Sequence, residues 1–500
     1  MMRRSQALAV AVLFLGAALR FHALGQSQRF HPDEALFASF ARAAAVQGDW
    51  LLHGHLDKPP LTIYANALAM TFFGMTTLPD GVLTLDVHRG EFAVRILGVF
   101  VSLLALAAFY ALARRLKVPA NLALLLLALS PLAVAFSATA FTDGMLLLCL
   151  VLAFWSMSEG GWGRAGLYLA LGLGCKQQAA LAIPLVIGIG WAGESRISWR
   201  HLLRLTLPIL AGIGLLLAWD AARGQAVPFW ALAAANNDPG RLTRLDELLP
   251  RARDWWGFLH HAAGSSLLTL LMLTAAVSGL IQRPPRRIDI VLAMYAGAYL
   301  VLHWIVAINI YDRYLLPVLL VILLLAARGV DGWIAVCSSA ILQFRFFAGA
   351  GFRPSSSLAA RIFLAAFLLI AALPGALAAA RGCLGIGGDN GRHTGIDHLA
   401  VYLNQQRLGA IIYDHWLGWE LGYYLGPWSD KRRVYYPAPE TLAADALLQP
   451  DPAPRYLPVP SWAEVQPWLD ALKEAGFRIQ LVYDQAPFRV YELLPPWSPL

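Results

Sequence analysis

FHPDEALFASFARAAAVQGDWLLHGHLDKPPLTIY, residues 30–64, opens on adjacent carboxylates, Asp33 and Glu34, and nears its end with a lysine before two prolines. Its meaning depends on what flanks it. The preceding residues 6–24 are almost wholly apolar, and similar runs recur along the chain. Runs of roughly 17–25 apolar residues match a ~30 Å hydrocarbon core at ~1.5 Å rise per residue. The stretch therefore reads as a loop at a membrane surface, in an α-helical polytopic membrane protein.

Composition supports this frame. Of 500 residues, 58% are hydrophobic and 14% charged, with a mean hydropathy of +0.57. A soluble chain of this length carries about a quarter charged residues. The net charge of +8 comes from short arginine clusters between apolar runs, which report topology rather than a nucleic-acid partner. Cys149, Cys175 and Cys337 lie in apolar segments and Cys383 has no obvious partner, so cysteine says nothing about the redox compartment. The start, MMRRSQALAVAVLFLGAALRF, lacks a convincing cleavage pattern and reads as an uncleaved first span with Arg3 and Arg4 inside.

Candidate spans are 6–24, 93–113, 118–136, 144–158, 166–176, 179–193, 202–219, 257–281, 288–308, 314–328 and 361–380, about eleven. Three basic clusters, Arg114/Arg115/Lys117, Arg196/Arg200/Arg204 and Arg283/Arg286/Arg287, are placed inside with the N-terminus. That arrangement needs 166–193 to be a hairpin with Lys176-Gln177-Gln178 at its outer tip, not one span. The short apolar stretch 333–344, followed by Arg345, Arg353 and Arg361, reads as an inner interfacial helix. The expected location is a bacterial inner membrane, with the N-terminus cytoplasmic and the C-terminal region extracytoplasmic.

Three outer segments are too long to be mere connections. Residues 25–92 hold seven acidic residues (Asp33, Glu34, Asp49, Asp57, Asp80, Asp86, Glu91), and 220–256 carry five arginines (Arg223, Arg241, Arg244, Arg251, Arg253). Residues 381–500 fall in hydrophobicity and balance their charge, giving a second domain after a transmembrane domain of 1–380. Within it Ile396, Leu399, Ala400 and Leu403 are spaced for a helix, as are Trp462, Val465, Trp468, Leu469 and Leu472. AIIYD (410–414), FRIQLVYD (477–484) and FRVYELL (488–494) read as strands, so the domain is a small α/β unit.

Asp33 and Glu34 precede a helix expected from Ala35. Carboxylates there cap a helix, or one of the pair acts as a general base at the membrane surface. In Asp57-Lys58-Pro59-Pro60-Leu61 a lysine is held where an apolar helix resumes, placed to meet a lipid phosphate. Snorkelling to the headgroups explains its charge but not the proline pair.

Taken together, the Asp-Glu pair, the GDW at 48–50 and DKPPL resemble the first outer loop of the C-type glycosyltransferase superfamily. The resemblance is to the branch of protein O-mannosyltransferases and lipid A aminoarabinose transferases. SPLAVAFSATAFTDGMLL (130–147) resembles the segment with an aspartate at a span's outer end, here Asp143. GLGCKQQAALAIPL (172–185) resembles the Gly-rich helix ending in lysine, here Lys176, and YDRYLLPVLL (311–320) the late Arg-Tyr-Leu-Leu-Pro motif. Cys175 stands where many members have threonine, and Gln177-Gln178 also departs from the pattern.

The resemblance implies a polyprenyl-phosphate-linked sugar donor and inversion at the anomeric carbon. An attacking hydroxyl needs a base, for which Asp33 is the choice. The departing phosphate gains charge and needs fixed cations, which Lys58, Lys176 and Arg313 can supply, with Arg223 a further candidate. Asp143 positions the acceptor, orients a basic residue, or simply faces water at a span end. Asp57, Arg95 and Tyr314 are supporting candidates, Arg95 divided between an ion pair with Glu91 or Asp86 and phosphate contact. His303 and Trp304 read as packing residues. DHWLGWELGYY (414–424) and ARDWWGF (252–258) can stack on sugar rings, though an interfacial belt explains the latter equally well. No cofactor is required. A divalent cation is compatible with Asp33 and Glu34, but nothing in the sequence demands one.

The acceptor, whether glycolipid, glycan or protein, and the sugar itself are not legible. Two other classes compete: a transporter or lipid flippase, and a non-catalytic glycan-binding partner. The first predicts mid-membrane charges and a two-fold repeat of spans, whereas the charges here sit at the edges. Removing residues 385–500 separates the second from an enzyme, which could keep donor binding in its first 380 residues.

Overall fold

The computed structural model describes the chain except residues 1, 27, 78, 80, 82, 195, 238–239, 282–284, 348–355, 427–429, 450–452 and 498–500. Asp80, Arg283 and Arg353 lie outside this set, as do the side chains of Arg3, Arg4, Cys337, Arg345 and Arg361. Two compact units emerge. One comprises Met1–Gln26, Leu51–Ala65 and Arg95–Gly387, the other Ser27–Trp50, Asn66–Val94 and Gly388–Leu500.

Among the described residues, five helices are long and apolar enough to cross a membrane: Ser5–Leu24, Val87–Arg115, Trp199–Ala222, Arg287–Ile305 and Asp312–Val336. Leu245–Ala262 and Ser266–Ile281 meet at 88° and would add a sixth as one broken span. Gly264, with φ +87°, makes the bend. The expected run 118–136 is likewise interrupted. Ala120–Leu129 ends at Ser130, whose ψ of 119° is the extended conformation required before Pro131, and a short helix Pro131–Ala135 follows.

Two expectations about the later chain resolve differently. The stretch 333–344 is not a separate interfacial helix: Leu316–Phe347 is one continuous helix of 32 residues. Gly329 looks like a breaker but serves packing, because a Cβ there would lie 1.7 Å from the Ala275 carbonyl oxygen of the crossing helix. Residues 166–193, by contrast, do reverse direction. The helix Trp162–Cys175 ends at Lys176, which meets Asp143, and Gln177–Ala182 turns the chain into the helix Ile183–Gly193. That helix returns to where the first began, with Glu194 Oε1 accepting from Trp162 Nε1 at 3.0 Å.

In the second unit, β1 (Met75–Thr77) and β2 (Leu83–Leu85) form an antiparallel pair. β3 (Ile411–Tyr413), β4 (Arg432–Val434), β5 (Arg455–Pro460), β6 (Arg478–Gln485) and β7 (Phe488–Leu494) form a sheet ordered β4-β3-β5-β7-β6. β3 runs parallel to β4 and β5, while β7 runs antiparallel to both β5 and β6. Ile411, Tyr413, Leu457, Trp468, Leu472 and Leu493 form the core of this region. The helix Ile396–Asn404 buries the four residues whose spacing foretold it. The second expected helix starts later than expected, at Gln466, leaving Trp462 and Val465 ahead of its first turn.

Candidate active site

In the first unit the chain brings Lys58, Asp143, Lys176, Arg313 and Tyr314 together from four separate segments. Asp143 opens the helix Asp143–Ser158, where a carboxylate suits the positive end of the dipole. Lys176 sits just past its own helix, in extended backbone at φ −160° and ψ 135°. Its ammonium donates to Asp143 Oδ1 at 2.6 Å, and both residues are buried. The same ammonium lies 5.0 Å from the centre of the Tyr314 ring. Arg313, on the turn Asp312–Leu315, places its guanidinium 4.1 Å over Tyr311 and 5.3 Å over Phe141. The charges of Arg313 and Lys58 are both close enough to act on Lys176. Asp143 and Asp312 accompany these cations, in partly aromatic surroundings where charge is poorly screened.

Lys58 pairs with its neighbour, donating to Asp57 Oδ2 at 2.6 Å. Asp57 Oδ2 also accepts from Asn236 Nδ2 at 3.2 Å, and its backbone carbonyl accepts from Gln177 Nε2 at 2.8 Å. Asp57 is thus tied to Lys58, Asn236 and Gln177 at once.

Arg223 has a different task. Fully buried, it donates to the carbonyls of Leu52 (2.9 Å) and Gly54 (2.7 Å) and to Asp220 Oδ1 (3.2 Å). Leu52 has φ +57°, so this arginine clasps a strained loop leading into Asp57-Lys58 instead of presenting a free fork to a phosphate. Arg95 is buried in the helix Val87–Arg115. His303 Nδ1 donates to the Tyr299 carbonyl at 2.8 Å and its ring stacks on Tyr299, a packing role.

In the second unit the two carboxylates of the opening stretch separate in role. The helix Pro32–Arg42 is capped by His31, whose Nδ1 accepts from the Asp33 N–H at 3.2 Å. Glu34, wholly buried, closes the capping box by accepting from the His31 N–H at 3.1 Å. Asp33 is half-buried in the same first turn. The aromatic segment after Trp419 holds this region. Tyr424 Oη accepts from the Phe30 N–H at 2.9 Å and donates to Glu91, and Arg42 donates to the Tyr423 carbonyl. The sequence marked these tyrosines only as stacking candidates. Among the described residues no three His, Cys, Asp or Glu side chains gather to hold a metal ion.

Residues 57–219 match the family described as dolichyl-phosphate-mannose-protein mannosyltransferase, so the resemblance carried by DKPPL and the motifs around Asp143 and Lys176 is borne out there. The undecaprenyl phosphate-alpha-4-amino-4-deoxy-L-arabinose arabinosyl transferase of Edwardsiella ictaluri (strain 93-146) is 30% identical over 222 residues, 40% of this chain and 38% of that protein. The aligned region is thus well under half of that relative. ArnT from Cupriavidus metallidurans in the apo state matches at a TM-score of 0.58 and 16% identity, covering 98% of both chains. The same protein bound to undecaprenyl phosphate matches at 0.56, covering 97% of both. The two structural likenesses, which run nearly the whole length of both chains, give this chain the fold of ArnT.

Proposed function

We propose that this chain is an inverting glycosyltransferase that moves a sugar from a polyprenyl-phosphate donor to a glycolipid, glycan or protein acceptor at the outer face of a bacterial inner membrane. The observation that carries the reading is the gathering of Lys58, Lys176 and Arg313 around Asp143 and Tyr314. Such a cluster suits a group whose negative charge grows as a bond breaks. The likeness to relatives whose names specify undecaprenyl phosphate supports the same leaving group.

Asp33 takes the acceptor's hydroxyl proton as its oxygen attacks the anomeric carbon opposite the phosphate. The carbon–oxygen bond to the phosphate breaks, the phosphate keeps the electron pair, and the configuration inverts. Lys176 and Arg313 hold the phosphate oxygens, with Lys58 beside them, while Asp143 keeps Lys176 charged and aimed. Glu34 serves by capping the Asp33 helix. No resident metal is needed in this scheme, because the cations supply the neutralising charge. About eleven spans place the N-terminus in the cytoplasm and residues 381–500 outside. This is supported by the reversal at Lys176 and by Arg114 and Arg115 in the last turn of the helix Val87–Arg115.

The test presents purified protein in lipid with a panel of polyprenyl-phosphate sugars and candidate acceptors, and follows released polyprenyl phosphate. Asp33→Asn should abolish transfer while leaving expression and membrane insertion intact. Wild-type turnover by that variant would remove the base, and a panel in which the native protein consumes no donor would overturn the reading.

A further inference from the structure

The three cations come from segments far apart in the chain, and something must hold their spacing. The residues immediately after Lys176 reach in two directions. Gln177 Nε2 donates to the backbone carbonyl of Asp57 at 2.8 Å, one residue before Lys58. Gln178 Nε2 donates to the Tyr299 hydroxyl at 2.5 Å. That hydroxyl donates in turn to the backbone carbonyl of Tyr314 at 2.7 Å, one residue after Arg313. Each glutamine thus follows Lys176 closely on its own segment and ends beside a second cation on another.

We infer that Gln177 and Gln178 are positioning residues: Gln177 fixes Lys58 against Lys176, and Gln178, through Tyr299, fixes Arg313 and Tyr314 against Lys176. The inference rests on the reading that this cluster meets a polyprenyl-linked phosphate. A phosphate in flight benefits only from donors already in place, because moving a cation at the moment of reaction costs reorganisation. Two rigid carboxamide links supply that order where three flexible, mutually repelling side chains would not.

One detail separates positioning from packing. The Gln178 Oε1 atom is buried and has no hydrogen-bond partner among the described residues. An orphaned buried acceptor is a cost to stability, so only its N–H donor argues for a glutamine at this position. Methionine has nearly the same shape and lacks both polar atoms. Gln178→Met should therefore fold as stably as the native protein, or more so, yet perform worse.

The experiment measures binding of polyprenyl monophosphate, transfer kinetics and thermal unfolding for Gln177→Met, Gln178→Met, Tyr299→Phe and the pairwise combinations. Each single change should weaken polyprenyl monophosphate binding and lower kcat, the latter roughly 10- to 100-fold, with little change in unfolding temperature. Gln178→Met and Tyr299→Phe break the same link, so together they should cost no more than the worse of the two. Gln177→Met and Gln178→Met break different links, and their fold-losses should multiply. If the methionine variants do not accumulate, Tyr299→Phe, which removes a single oxygen, carries the test. Native binding and turnover in the variants, or multiplying losses for Gln178→Met with Tyr299→Phe, would overturn the inference. A native protein that does not bind polyprenyl monophosphate would instead remove the reading of the cluster beneath it.

Discussion

Lys176 and Asp143 illustrate how little a residue's identity says before its partner is known. Each alone is a costly buried charge, and at 2.6 Å each cancels the other's cost. Removing one should destabilise the protein by about 3–5 kcal/mol, since the other is left unpaired. Lys176→Met with Asp143→Leu removes both charges and should unfold at a higher temperature than either single variant, though all three lose transfer. Additive losses in thermal unfolding would show that the pair contributes no coupling. The opening carboxylates teach the converse. In the sequence Asp33 and Glu34 are equivalent, each fit for a cap or for a base. The fold buries Glu34 on the His31 N–H and leaves Asp33 half-buried, a division decided by where His31 enters the helix.

At the scale of elements, glycines and a histidine set the contacts. Gly329 lets two helices cross so closely that its missing Cβ would overlap the Ala275 carbonyl. Gly329→Ala should lower stability by roughly 1–3 kcal/mol as the crossing is forced apart. Gly297→Ala, in a helix where a Cβ meets nothing within 4 Å, should be neutral or slightly stabilising. Thermal unfolding of both variants tests the contrast. In the second unit His393 lies buried between Asp389, which accepts from its Nδ1, and Glu420, whose Oε1 is 3.0 Å from its Nε2. Burial alone would push the imidazole down, but the two carboxylates outweigh it and raise its pKa to about 9. A raised histidine contributes stability that is complete below its unfolded value of about 6.5 and is lost as pH climbs through about 9. The gain is on the order of 3 kcal/mol. Native protein should therefore lose stability between pH 6.5 and pH 10 relative to His393→Gln, and parallel stability profiles for the two would refute the assignment.

The whole molecule poses the question of sides. Cys383 is exposed, whereas Cys149 and Cys175 are buried. With the proposed orientation, a membrane-impermeant maleimide added to intact cells should label Cys383, and a cysteine introduced by Arg196→Cys should react only after the membrane is opened. Labelling in the reverse order would invert the topology. The membrane class was legible in the sequence, because apolar runs of span length have no soluble alternative when charges are this few. The reversal at Lys176 was legible for a related reason, since the basic clusters on either side had to share a face. So were β6 and β7, whose alternation and breaks are local signals. The single helix from Leu316 to Phe347 was not, because its glycine serves a distant partner at Ala275 rather than a turn. Nor was the use of Arg223, whose charge resembles that of Arg313 but whose donors are consumed by Leu52 and Gly54. Sequence by itself determined which segments are apolar, which residues carry charge and where the chain turns, since these depend on neighbours a few residues away. Only the tertiary structure decided which cations gather and which glutamines space them, because those pairings link residues more than a hundred positions apart.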